Sequence, residues 1–252
     1  MTRVLIAGES WTTTSIHTKG FDAFTTVAYE EGVADFRAAL EDAGHSVTFL
    51  PNHEASRHFP SSADELAAYD VVVLSDIGAN TLLLTNDTFL RGTPRPNRLK
   101  VLRDWVAGGG SLMMVGGYLS FQGIEAKANY RATALAPILP VLLEVGDDRE
   151  ETPQGVQPRV IARHHAVAGV DDLLPHILGY QRLQPRPGSE TLIAVDGRPL
   201  LVVGGAGEGR VAAFATDMGP HWLPNEFLEW DGFDRLWQSM IGWLAGDEEV
   251  AR

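Results

Sequence analysis

The chain has 252 residues, 44% of them apolar, which is enough for one α/β domain with a sizeable core. Its 20 basic and 33 acidic residues leave a formal charge of −13, which argues against nucleic acid and anionic membrane surfaces as partners, since both select basic patches. With no cysteine, disulfides, thiolate metal sites and a cysteine nucleophile are excluded.

The N-terminal run RVLIAGE (3–9) is apolar, short and closed by glycine, which is how a buried parallel strand reads. It is too short for a secretory signal, and no stretch of the chain reaches the roughly 18 apolar residues of a spanning helix, so a soluble cytoplasmic protein is expected. Residues 10–32 are rich in hydroxyls and read as a long loop. Val33, Phe36, Leu40 and Ala43 fall at helical spacing, and Gly44 stops that helix. HSVTFLP (45–51) is a second strand. Ser62 followed by Glu65 predicts a capping box for a short helix. DVVVLSDIG (70–78) is a third strand, and residues 79–96 a second long loop. Leu99, Leu102, Trp105 and Val106 give the next helix its buried face, with Gly108–Gly110 ending it before the strand SLMMVGG (111–117).

Strands alternate with helices and carry no polar interruption, the pattern of an open parallel sheet covered on both faces. The second half is richer in strands: VLLEVG, RVIAR, TLIAVDG and PLLVVGGAGEGRVAAFATD, the last a hairpin turning at its glycines. Those glycines do not match G-x-G-x-x-G and no helix follows them, so they are not a nucleotide loop. The acidic segment 144–158 reads as a solvated loop. Phe233, Leu236, Trp237, Met240, Ile241 and Leu244 make a strongly amphipathic last helix. The fold class is α/β, mainly parallel, with a β-rich C-terminal half, and the whole chain, 1–252, reads as one domain.

Ligands of such sheets sit beyond the C-terminal ends of the strands. Those ends carry Glu9 and Ser10, Asp76, Gly117 and Tyr118, and further on Asp217, His221 and Trp222. Carboxylates accept from hydroxyls and aromatic faces give an apolar platform, so these residues suit a polar, sugar-like ligand. Asp217 and His221 are the candidates for acid–base work, and Glu9, Ser10, Asp76, Gly117, Tyr118 and Trp222 for binding. Asp76, His164, His165, Asp217 and His221 are oxygen and imidazole donors, but none shows the tight spacing of a metal helix, so neither a metal nor another cofactor is expected. One of His164 and His165 is expected to be buried and satisfied. Ser120 lies in GGYLSFQG, which is not the G-x-S-x-G of a serine hydrolase.

The segments SLMMVGGYLSF, YRATALAPILPV, ARHHAVAGV, GEGRVAAFATDMGPHW and FDRLWQSMIGWLAG, taken in this order, resemble the class I glutamine amidotransferase-like superfamily. More narrowly they resemble its members that lack amidotransferase chemistry, relatives of the trehalose-utilisation proteins. The resemblance covers nearly the whole chain and implies a flavodoxin-like fold. It also implies a cysteine on the turn after the fourth strand and a later F-H-P-E segment. Here the turn has Gly117–Tyr118, and the later segment reads Phe214–Ala215–Thr216–Asp217, so the acid remains while alanine stands for the histidine. Glutamine hydrolysis by a base-activated thiolate is then not expected. Two readings follow. The first is a diverged protein binding a small polar metabolite at the strand ends, with hydrolase or lyase chemistry on a sugar-like substrate open to it. The second is a non-enzymatic assembly or regulatory module. A homo-oligomer, dimer or tetramer, suits both, given six tryptophans and two long loops.

Overall fold

Five apolar runs become neighbouring parallel strands in the computed structural model of the protein, which describes residues 1–247. They are β1 (Arg3–Gly8), β4 (Ser46–Leu50), β5 (Val71–Ser75), β6 (Ser111–Val115) and β14 (Gly209–Phe214). Two strands between the first and second of these, β2 (Ser10–Lys19) and β3 (Asp22–Glu31), leave the sheet entirely. The parallel strands stand in the order β4-β1-β5-β6-β14. Counting only these five, that is the 2-1-3-4-5 order of flavodoxin-like sheets, with its switch point between the first and third strands. β5 and β6 are buried at every position, whereas β4 lies at the edge and is only half-buried.

The sheet continues past β14 with antiparallel strands. These are β13 (Arg198–Ala206), β12 (Glu190–Val195) and β9 (Arg159–Val160). Three short strands and one longer one complete two small ribbons: β7 (Val141–Leu142) with β11 (Gln184–Pro185), and β8 (Arg149–Val156) with β10 (Ile177–Gln181). The α/β class and the strand-rich C-terminal half stand as the sequence predicts, and the β13–β14 hairpin turns where its glycines indicate.

Right-handed crossovers put α1 (Ala34–Asp42) on one face, and the helices between β4 and β6 on the other. The second set is α2 (Asn52–His58), α3 (Ala63–Leu66), α4 (Ala79–Leu83), α5 (Asn86–Arg91) and α6 (Arg98–Ala107). Two further helices follow β14, the short α7 (Asn225–Leu228) and the long α8 (Phe233–Ala245). All six apolar residues predicted for the last helix are buried, and its Trp237 packs edge-on against Phe36 of α1 at 4.7 Å. Ser62 Oγ accepts the Glu65 N–H as a cap, and the Glu65 carboxylate in turn accepts from the backbone N–H groups of Ser61 and Ser62.

Three segments differ from their sequence reading. Residues 10–32 are not a loop but a ten-pair antiparallel ribbon, β2–β3, turning at Gly20. Its threonines, valine and isoleucine are β-branched and favour pleated backbone, a signal hidden by their hydroxyls. Residues 79–96 hold α4 and α5, the latter capped by Thr85 and closed by Gly92 at φ 64°. The segment 144–158 contains β8, and its Asp148 is fully buried.

Arg98 ties the second helical layer together. It is 1% exposed, and its guanidinium donates to Leu82 O (2.6 Å), Thr81 O (3.0 Å), Ala55 O (3.1 Å), Ser56 O (3.3 Å) and Phe59 O (3.4 Å). These carbonyls lie at the C-terminal ends of α2 and α4, where backbone acceptors lack helical partners and the dipole is negative. Arg98→Met would take the guanidinium donor from all five, leaving only Ala55 O its other bond, from the Phe59 N–H, and is expected to cost about 3 kcal/mol or more; a denaturant titration reading under 1 kcal/mol would contradict this role.

Candidate ligand site at the strand ends

The register brings the first residues past β1, β5, β6 and β14 side by side. Gly8 pairs with Ser75, Ser75 with Val115, and Val115 with Phe214. Glu9 and Asp76, the first residues beyond β1 and β5, share one local device: both hold left-handed backbone, at φ 44° and 43°. Few non-glycine residues adopt it outside turns, and such positions gather at functional sites. The two acids flank the topological switch point, where open sheets bind ligands.

Glu9 is 2% and Asp217 4% exposed, and Asp76 is half-buried. Burial holds the Glu9 carboxyl well above the usual carboxylate range, with the nearby charges of Asp217 and Asp76 adding to the shift and a hydrogen bond from Ser75 Oγ (2.5 Å) opposing it. Burial likewise raises Asp217, with Asp76 adding, against hydrogen bonds from the N–H groups of Met218 and Gly219. Asp76 is raised by burial, against the Leu119 N–H that its Oδ1 accepts at 2.6 Å. No arginine or lysine among the described residues forms an ion pair with any of the three.

Close backbone approach makes room for this crowding. A Cβ on Gly32 would lie 2.5 Å from Glu9 Oε1, and one on Gly219 would lie 2.4 Å from Gly32 O. Gly117, at φ 123°, approaches Asp76 to within 3.0 Å of such an atom. Only glycine fits these positions without displacement.

An aromatic and imidazole layer lies against the acids. Tyr118 meets His221 edge to face at 4.4 Å, and His221 stacks on Trp222 at 5.6 Å. His221 Nδ1 is 3.8 Å from Asp217 Oδ2, and burial lowers the imidazole's proton affinity. Its φ of 120° is strained for a residue with a side chain. Trp222 is buried, fits over Gly179, and donates its indole N–H to Glu151 at 3.1 Å. The Arg149 guanidinium stands 4.4 Å over the Tyr118 ring. A carboxyl with raised proton affinity beside an imidazole with lowered affinity provides an acid and a base in one place.

All the residues predicted for the site therefore lie at the strand ends, and the structure shows what each does there. Ser10 is engaged structurally: its Oγ accepts the Asn52 N–H at 2.8 Å, and Asn52 Nδ2 bridges the carbonyls of Ser10 and Asp76. Ser120 is buried, donates to Gly116 O and accepts from Asp76 N, so its hydroxyl braces the turn. His164 is half-buried and its Nδ1 accepts the Ala166 N–H, while His165 is exposed. Sequence reasoning missed Arg149 and Glu151 because they sit on β8, in the segment that reads as a loop. It also missed Gln181, whose Nε2 donates to Gly117 O while its Oε1 is buried without a partner. A cleft of about 810 Å³ lies elsewhere, between α2, α3 and residues 85–98, and contains none of the site residues. Among the described residues no three acidic or imidazole side chains are arranged to hold a metal ion.

The sequence profile of a family described as "Putative glutamine amidotransferase" matches residues 3–246. Two solved structures, both of cytoplasmic proteins of Salmonella typhimurium, are each 42% identical with TM-score 0.93; each match covers 96% of this chain, and 98% and 99% of the other. A ThuA-like protein of Bacteroides uniformis shares the fold at 12% identity and TM-score 0.55, over 100% of this chain and 94% of that one. No curated protein matches the chain significantly.

Because Glu9, Asp76 and Asp217 are raised by folding, the folded state holds protons that the unfolded chain releases. Their contribution is greatest below the ordinary carboxylate value and is lost as pH rises through the folded values. Asp217→Asn removes one such group, so its melting temperature should fall less than the wild type's between about pH 5 and pH 8. Parallel pH profiles would contradict the raised carboxyl.

Proposed function

The chain belongs to the family described as putative glutamine amidotransferases, and from that premise we propose that it is a catalytically diverged member that binds a small polar, carbohydrate-like metabolite at the strand ends. The observation that carries this reading is the set of three carboxyl groups beside Tyr118 and His221 with no arginine or lysine among the described residues paired to them. Burying uncompensated acids is costly. A space merely filled after loss of a nucleophile gives no reason to keep them, whereas a ligand rich in hydroxyl donors does. The absence of cysteine removes the family's thiolate chemistry. Asp217 and His221, 3.8 Å apart, are the pair for proton transfer if the ligand is turned over. Ligand entry requires Tyr118 and His221 to part, and the strained, half-exposed His221 is the element to move. We place the protein in the cytoplasm, as its two Salmonella relatives are.

The contact of Tyr118 with His221 favours a second reading, a non-enzymatic module in which these rings permanently fill the old site. A thermal-shift screen against sugars, sugar acids, glutamine and divalent metals separates the two. A ligand at a hundred times its dissociation constant adds about 2.7 kcal/mol, which for a chain of this size is a rise of roughly 5–10 °C. The expected outcome is such a rise with a sugar or sugar acid, lost in both Tyr118→Ala and Asp217→Asn. A blank across all classes would favour the filled site.

A further inference from the structure

The β2–β3 arm is the part of the molecule that the strand-end site does not explain. From Thr12 to Glu31 every residue is exposed. A two-stranded hairpin standing alone in water is marginally stable at best. The ten pairs run without a bulge, there is no proline, and the only lysine is Lys19 at the tip. The devices by which soluble proteins blunt an open ribbon are therefore absent.

The two faces of the arm differ. Pairing in register puts Trp11, His17, Lys19, Phe24, Thr26 and Glu30 on one face. That face satisfies itself: Trp11 donates to Glu30 at 2.7 Å, His17 bonds Thr26 at 3.1 Å and stacks on Phe24 at 4.6 Å, and Lys19 stands 5.7 Å over the Phe24 ring. The other face carries Thr12, Thr14, Ile16, Thr25, Val27 and Tyr29, with no charge before Glu31 at the root. Ile16 is 74% and Val27 66% exposed, and only Tyr29 has a side-chain partner within the chain, at the root.

We propose that this uncharged face packs against the same face of a second copy of the chain, forming a two-fold symmetric arm-to-arm dimer. Charge selects the occupant. A chain at −13 repels its own copies over most of its surface, and an oppositely charged partner would be drawn to that acidic surface instead. A long strip without charge is where two like-charged copies can meet, and an isologous contact needs only one self-complementary patch. The ribbon is about 33 Å long and about 10 Å wide, so the arms alone bury an area at or below the low end of specific interfaces, roughly 1,200 Å² in total. The dimer should accordingly dissociate on dilution.

The test is light scattering and sedimentation of the full chain across a concentration series, with three variants. In one, residues 13–28 are replaced by Asn-Gly, which closes a two-residue turn between Thr12 and Tyr29. The second is Ile16→Lys with Val27→Lys. The third is Thr14→Cys, which in a cysteine-free chain can form a disulfide only between copies. The expected result is a wild-type dimer at high concentration, a monomer for the first two variants with a cooperative thermal unfolding transition retained, and a cross-linked dimer for the third under mild oxidation. Cysteine at Thr13, on the opposite face, should cross-link at least tenfold less. A wild type that stays monomeric at about 100 μM overturns the proposal, as does an oligomer that survives loss of the arm. A monomerised arm variant without cross-linking at Thr14→Cys overturns it too, since the arm would then grip some other surface.

Discussion

Three carboxyl groups lie close together at the ends of adjacent parallel strands, and among the described residues no arginine or lysine forms an ion pair with them. Much of the local structure follows from that constraint. Like charges so close cannot all ionise cheaply, so protons must be retained or donors supplied. Ser75 supplies one hydroxyl to Glu9, Leu119 a backbone N–H to Asp76, and Met218 and Gly219 two more to Asp217. These four donors come from three strand ends, those of β5, β6 and β14. Gly32 and Gly117 have the same cause, since a side chain there would meet the carboxyl groups of Glu9 and Asp76, while Gly219 lies against the Gly32 carbonyl.

The layer above the acids is built from the other half of the chain. Trp222 is fixed from below by Gly179 on β10 and from the side by Glu151 on β8. Glu151 and Gly179 face each other across that ribbon, so a single antiparallel pair sets the position of the indole. Arg149, two residues before Glu151, reaches over Tyr118. Asp148, next to it, accepts the N–H groups of Gln122 and Gly123 and so locks the chain leaving the β6 turn. The strand-rich half is thus part of the site, because it sets the aromatic rings against acids carried by the parallel half.

The parallel half was legible in the sequence because its signals are local. Apolar runs closed by glycine and an acid mark β1 and β5, and the same glycine–acid endings mark Glu9 and Asp76 as site residues. The amphipathic period of α8 was equally plain. What was hidden depended on partners far along the chain. β8 is polar over most of its length, with Val156 its one aliphatic side chain, and its partner β10 lies more than 20 residues further along the chain. Arg149 and Glu151 were hidden with it. The β2–β3 arm failed differently: both faces are exposed and both carry threonines, and they differ in charge rather than in apolar content, so the apolar–polar alternation of a half-buried strand was not there to be read.

The turn after β6 is a sharp strand-end turn that carries a tyrosine and no thiol. Gly117 still holds the left-handed conformation that a sharp strand-end turn needs, and Ser120 still braces it by linking Gly116 O to Asp76 N. The side chain delivered there is now Tyr118, which has neither a thiolate's nucleophilicity nor an adjacent base in register. Yet Asp217 remains four residues before His221, and both reach the tyrosine's side of the acids. A tyrosine hydroxyl, a carboxyl of raised proton affinity and an imidazole of lowered affinity all exchange protons rather than form acyl bonds. If catalysis survives here, it belongs to proton transfer on a hydroxylated ligand, and the turn serves to hold Tyr118 where that ligand would sit.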